Sequence, residues 1–102
     1  MLDAANEAMS FVKESNLENL YTDRKLALSL VRLIEIIGEA ASQISPETKE
    51  LYYEIPWQSI VGMRNRLIHA YFDIDLNLVW GTVNNDLPSL ISGINHILSS
   101  KT

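Results

Sequence analysis

Residues 64 to 71 read Arg-Asn-Arg-Leu-Ile-His-Ala-Tyr, and two of these side chains have types that do chemistry on an anion. A guanidinium such as Arg64 stays charged at any working pH and presents a fork of donors to phosphate or carboxylate oxygens. An imidazole such as His69, with an unperturbed pKa near about 6.5, exchanges a proton at neutral pH. Asn65 and Arg66 add a neutral hydrogen-bonding group and a second cation, and Tyr71 adds a phenol. The background sharpens the signal. The 102 residues carry 13 acids against 8 lysines and arginines, a formal net charge of −5, yet no Asp or Glu occurs from Ile55 through Phe72. An acidic protein is locally basic over one window, although a general coat for nucleic acid would need far more Lys and Arg.

Each residue also has a plainer reading. On a wheel of about 100° per residue, Arg64 falls among Ile60, Met63, Leu67, Ile68 and Tyr71, on an apolar face. Burying that charge costs several kcal/mol unless a partner or a wet cavity receives it. Glu35 or Glu39 of the preceding long helix can supply an ion pair. His69 alone reads as a surface residue, and Tyr71 as a packed ring with its hydroxyl outward. Five residues apart, Arg64 and His69 diverge by about 140° on one straight helix. Bringing them together requires a bend near His69 or a twofold pair of chains that sets this segment against its own copy.

The elements that must position these residues are helical. Leu2, Ala5, Met9 and Val12 recur at helical spacing and predict a first helix over residues 2–14. Thr22 or Asp23 can cap a long second helix reaching residue 44, along which Leu26, Leu30, Leu33, Ile37, Ala40 and Ile44 keep the 3.6 period. Leu28 and Ile36 widen its apolar sector, so it is expected to be buried on more than one side. Ser45-Pro46-Glu47 restarts a short helix to about residue 53, with a hydroxyl cap, proline in the first turn and an acid beside it. Pro56 holds Ile55 extended and opens a fourth helix through Trp57, Ile60, Leu67 and Tyr71. Asp73 or Asp75 caps a fifth, over residues 76–99, which Pro88 kinks or splits after the local cap candidate Asp86. Five helices with short connections and no period-two segment predict an all-α bundle.

With 47% hydrophobic and 21% charged residues the composition is that of a folded globular protein, and 102 residues suit one domain, 1–102. There is no cysteine for a disulfide or thiolate metal site, and no apolar run approaches the roughly 20 residues that span a bilayer. A cytoplasmic location without a membrane anchor is the expectation. Trp57 and Trp80, beside Pro56 and Val79, read as core or interface anchors, and His96 as a surface residue on the last helix.

The string from Gly62 to Phe72 resembles the R-x4-H-x-Y signature of HepT-like toxins, a branch of the HEPN superfamily. The similarity extends to IEIIGEAA at residues 34–41, IPW at 55–57, Val79-Trp80 and Asp86-Leu87-Pro88, in order, over roughly residue 26 to the end. It implies a HEPN-type bundle, and because the family begins several residues earlier, either a trimmed first helix or a misassigned start codon is expected. It also implies a homodimer with a composite cleft that cleaves RNA without a metal ion or other cofactor, as the toxin of a type VII-like toxin–antitoxin system. Arg64 and His69 would be the catalytic pair, with Asn65 and Arg66 in support. Tyr71 would be the site at which a minimal nucleotidyltransferase antitoxin attaches AMP and silences the enzyme. The alternative from another class is a non-catalytic HEPN module that binds nucleotide or docks the nucleotidyltransferase. Overall acidity favours that alternative, and the intact Arg64, His69 and Tyr71 favour the enzyme.

Overall fold

The computed structural model describes residues 1–63, 65, 68–70 and 73–100, with the side chains of residues 68–70, 73 and 100 outside that description. The architecture is all-α. Helices α1 (Leu2–Lys13), α2 (Leu17–Thr22), α3 (Arg24–Ser42), α4 (Pro46–Leu51) and α5 (Trp57–Val61) are followed by two short strands, β1 (Ile68–Ala70) and β2 (Asp73–Ile74). Helix α6 (Leu76–Gly81), a π-helical turn over Thr82–Asp86 and helix α7 (Leu87–Ser100) follow.

Local chemistry explains the boundaries. Of the two candidates for the start of the long helix, Asp23 is the cap, its carboxylate accepting from the Leu26 N–H at 3.2 Å. Ser45 caps α4 by accepting from Thr48 N–H, with Pro46 in the first turn where its missing donor is harmless. Asp75, not Asp73, caps α6 through the Leu78 N–H. Helix α2 is an addition to the expected five: Asn16 and Asn19 each accept the other's backbone N–H in a reciprocal capping box, which starts six helical residues where no apolar period is long enough to announce them.

Helix α3 is the spine. It packs against α1, α2, α5 and α6, and buries Leu30, Val31, Leu33, Ile34, Ile37 and Ala41. The expectation of burial on more than one side holds, with Leu28 left 43% exposed on the flank. Ala4, Ala5, Ala8 and Val12 are the buried residues of α1, and such short side chains let it lie close along α3. The core continues through Val79, Val83 and Leu87, all fully buried.

The last helical stretch is split, as Pro88 requires. Proline offers no N–H to the carbonyl four residues back, so the helical ladder is interrupted there. The Leu87 N–H reaches the Thr82 carbonyl five residues back, and the helix widens into the π turn. Asp86 makes no capping hydrogen bond among the described residues.

The fourth helix departs from expectation. It does not run through to Tyr71: α5 ends at Val61, Met63 and Asn65 are helical, and Ile68–Ala70 is extended, paired antiparallel with Asp73–Ile74. Ile68 faces Ile74 and Ala70 faces Asp73, with an irregularity between. The facing pair Ile68 and Ile74 is β-branched, a type that fits a pleated surface better than an isolated helix end. The five strand residues are a local departure within a helical fold.

Candidate functional site

The site begins with the anchoring of α5. Trp57 is buried and donates its indole N–H to the Tyr52 carbonyl at 3.1 Å, closing the turn between α4 and α5. The Ile55 N–H also donates to Tyr52, at 3.2 Å, and Ile55 packs into the core. Behind this staple α5 lies directly on α3. A Cβ built on Gly38 would stand 3.3 Å from the Ile60 carbonyl oxygen and 3.4 Å from that of Val61, so glycine at 38 sets how closely the end of α5 approaches the spine. Ile60 and Met63 point into the core, Met63 with only 2% of its surface exposed. The residue that follows Met63 in the chain is Arg64.

The structure therefore describes the platform for the motif more fully than the motif itself. Asn65 is helical and exposed. His69 is placed by its backbone on β1, while its side chain lies outside the described residues, as do Arg64, Arg66 and Tyr71. One consequence is geometric. Because the helix does not continue to His69, the divergence of about 140° expected for residues five apart on a straight helix does not apply. The backbone is helical at Asn65 and extended at Ile68.

Of the two acids considered as partners for Arg64, Glu39 is exposed. Glu35 lies 3.6 Å from Arg32 one turn back on α3, a half-exposed pair of little energetic weight. The aromatic anchors behave as their sequence neighbours suggest, Trp57 buried and Trp80 half-buried, and His96 is exposed on α7.

Sequence reasoning missed a second feature. Between α5 and the π turn is a cavity of about 330 Å³. Its floor is the buried Ile60, Met63, Leu87 and Leu90, and its exposed rim carries Ser59, Asn85, Asp86 and Ser89. The available signal was the Asp86-Leu87-Pro88 triplet, which marks an interrupted helix. A proline-induced π turn re-aims the side chains on either side of it, and such turns occur frequently at functional sites. Among the described residues no group of three or more His, Cys, Asp or Glu is arranged to hold a metal ion, and no helix is long and apolar enough to cross a membrane.

Comparison with known proteins bears directly on this arrangement. The profile of the family described as Ribonuclease HepT-like matches residues 1–97, including the first helix. A protein of Thermococcus cleftensis named "Probable ribonuclease HepT" is 44% identical over 80 residues, 78% of this chain and 73% of its own length. Proteins of Methanocaldococcus jannaschii and Caldanaerobacter subterraneus, each named as a "Putative RNase", are 36% identical over 90 residues, 88% of this chain and 83% and 80% of theirs. No solved structure matches the chain. With the match spanning residues 1–97, the chain belongs to the HepT-like ribonuclease family.

Proposed function

We propose that this protein is a metal-independent endoribonuclease toxin, acting as a homodimer with Arg64 and His69 as its catalytic pair. The observation that carries the reading is the family match together with the acid-free window from Ile55 to Phe72, in an otherwise acidic chain, at the end of a helix held rigidly on the spine. In the proposed reaction the ribose 2′-hydroxyl attacks the adjacent phosphorus and the 5′-oxygen departs. One histidine takes the 2′-hydroxyl proton and the other gives a proton to the leaving oxygen, yielding a 2′,3′-cyclic phosphate and a 5′-hydroxyl. Arg64 holds the phosphate and offsets the charge that builds on its oxygens. Asn65 orients the imidazole or the phosphate, and Arg66 contacts the RNA backbone.

Two copies supply the two histidines. The exposed Val61, three positions before Arg64 in the sequence, and the exposed Leu28 offer apolar surface to a facing copy. Adenylation of Tyr71 by a minimal nucleotidyltransferase would place a bulky anion among the arginines and exclude RNA by size and repulsion. The toxin and its nucleotidyltransferase antitoxin thus form a type VII-like pair.

The test is induced expression without any partner gene, wild type against His69→Ala, followed by RNA cleavage in EDTA. The expected result is growth arrest and EDTA-resistant cleavage, both lost in His69→Ala, with both proteins sedimenting as dimers. Wild type that leaves growth and RNA intact while dimeric would overturn the enzyme. The formal charge of −5 then favours a module that binds nucleotide or docks the nucleotidyltransferase. Coexpression with that partner is expected to add the mass of AMP to the peptide containing Tyr71 and to restore growth; restored growth with Tyr71 unmodified sinks the adenylation switch.

A further inference from the structure

The cavity between α5 and the π turn is not used by the chemistry above, yet it opens beside Met63, the residue that precedes Arg64. We propose that it is a base-binding subsite that receives one unpaired RNA base, guanine in preference to the others; this rests on the ribonuclease reading for its biological role but not for its binding. At about 330 Å³ it sits at the small end of the roughly 300–1,000 Å³ range of ligand pockets, room for a single heterocycle and no more.

The lining suits a neutral aromatic ring. Ile60, Leu87 and Leu90 supply an apolar floor and the Met63 thioether a polarizable contact for a ring. Among the described residues no Lys, Arg or His lines it, and the apolar floor with the Asp86 carboxylate at the rim suits a neutral ring better than a phosphate. The rim is polar and unspent. Among the described residues the side chains of Ser59, Asn85, Asp86 and Ser89 make no hydrogen bond or ion pair, although Ser10 and Ser42 on other helices, and Ser15 just after α1, donate to backbone carbonyls three or four residues earlier. An ionised Asp86 only accepts, so it selects a base edge with donors side by side. Guanine alone presents two adjacent donors on its Watson–Crick edge, the N1–H and the 2-amino group, and single-stranded RNA is read on such edges by splaying the base out of the stack. Asn85 and the two serines, each able to donate, can meet the O6 acceptor beside them. The π turn carries both Asn85 and Asp86 at this mouth.

The experiment uses nucleosides, which carry no phosphate and so bypass the catalytic residues. The full-length protein, labelled at Ile, Leu and Met methyl groups, is titrated with guanosine, inosine, adenosine, cytidine and uridine. Guanosine is expected to move the methyl signals of Ile60, Met63 and Leu90 and to bind tightest. Inosine, lacking the 2-amino group, should bind about tenfold more weakly, the worth of one hydrogen bond to a charged group. Asp86→Asn should weaken guanosine by a similar factor, and Ser89→Phe, which fills the mouth from an exposed position, should abolish the shifts. Unchanged melting temperatures show that both variants fold. In RNA of mixed sequence, cleavage by wild type should cluster at a fixed distance from guanosines and lose that bias in Asp86→Asn.

Methyl signals that stay put with every nucleoside, equal shifts with uridine and guanosine, or full guanosine binding by Asp86→Asn each overturn the subsite. So does a Ser89→Phe variant that sediments as a monomer where wild type is a dimer, because a second copy would then be the occupant. Guanosine binding in a protein that cleaves no RNA would instead defeat the ribonuclease reading and leave the subsite standing.

Discussion

Gly38→Val tests whether the spine positions the catalytic segment. In α3 a glycine costs roughly 0.5–1 kcal/mol relative to alanine, so its presence at a buried helical position calls for a steric reason. The reason is the approach of α5: a Cβ at 38 would meet the Ile60 and Val61 carbonyl oxygens at 3.3 and 3.4 Å. Alanine needs a displacement of only a few tenths of an ångström, which the end of a five-residue helix can yield, and the propensity gain offsets it. Gly38→Ala is therefore expected to lie within about 1 kcal/mol of wild type in urea unfolding. Valine adds two γ-carbons whose reach a small displacement cannot absorb. Overpacking of this kind costs about 1–3 kcal/mol, and a β-branched residue in a helix recovers little of it through propensity. For a chain of this length that is a fall in melting temperature on the order of 5–20 °C, measured at fixed protein concentration. The sharper readout is activity well below the melting range. Because the displaced backbone leads directly into Met63 and Arg64, Gly38→Val is expected to lose RNA cleavage by about 100-fold while still folded, as small misplacements of catalytic groups do. A Gly38→Val protein as stable and as active as wild type would refute the idea that this contact sets the site.

Further expectations concern parts of the same platform. Trp57→Phe keeps the ring but removes the indole donor, leaving the Tyr52 carbonyl without it; a loss of about 1–2 kcal/mol in urea unfolding is expected, and no loss would mean the staple is incidental. Asp75→Ala removes the cap of α6 and should cost about 1 kcal/mol, which Asp75→Asn should largely restore because asparagine caps equally well. If Arg64 and Arg66 of each protomer make the phosphate contacts, RNA binding by a dimer should weaken with salt at a logarithmic slope no steeper than about −3. A slope of −5 or beyond would place RNA on cations elsewhere.

Where one residue type carries its own local instruction, the fold was legible. Serine at 45 with Pro46 behind it, Asp23, Asp75 and the 3.6 period of α3 each specify an element without help from tertiary contacts, and each element is there. The lone helix α2 was not, because six residues cannot show a period and the Asn16–Asn19 box is an uncommon form of the motif. The end of α5 was missed for a different reason. Ile60, Met63, Leu67 and Ile68 keep helical spacing on paper, but Ile68 and Ala70 find antiparallel partners in Ile74 and Asp73, and pairing wins over period. For the site, composition exposed the acid-free window, and the motif named its chemistry through resemblance. The cavity was invisible because its walls come from α5 and the π turn, some 25 positions apart, and only packing brings Met63 beside Asp86.

Those two features divide recognition in a way the charge balance demands. With 13 acids to 8 lysines and arginines, most of the surface repels a polyanion, and RNA gains from coulombic attraction only where acids are absent. Long-range attraction and broad phosphate contact are thus weak. On the proposed reading, what remains is a short strip, two arginines and a histidine per chain, that both holds the phosphate and cuts beside it. A strip so narrow cannot choose among sequences, since phosphates are alike. Selectivity must come from groups that read a base without attracting backbone, and a neutral-floored cavity rimmed by hydroxyls, an amide and a carboxylate meets that need. The carboxylate at the rim is then an advantage: it repels misplaced phosphate and accepts from base donors in the same position. Under the two proposals an acidic ribonuclease of this kind trades affinity for discrimination, with affinity confined to the acid-free window and discrimination to the cavity at the π turn.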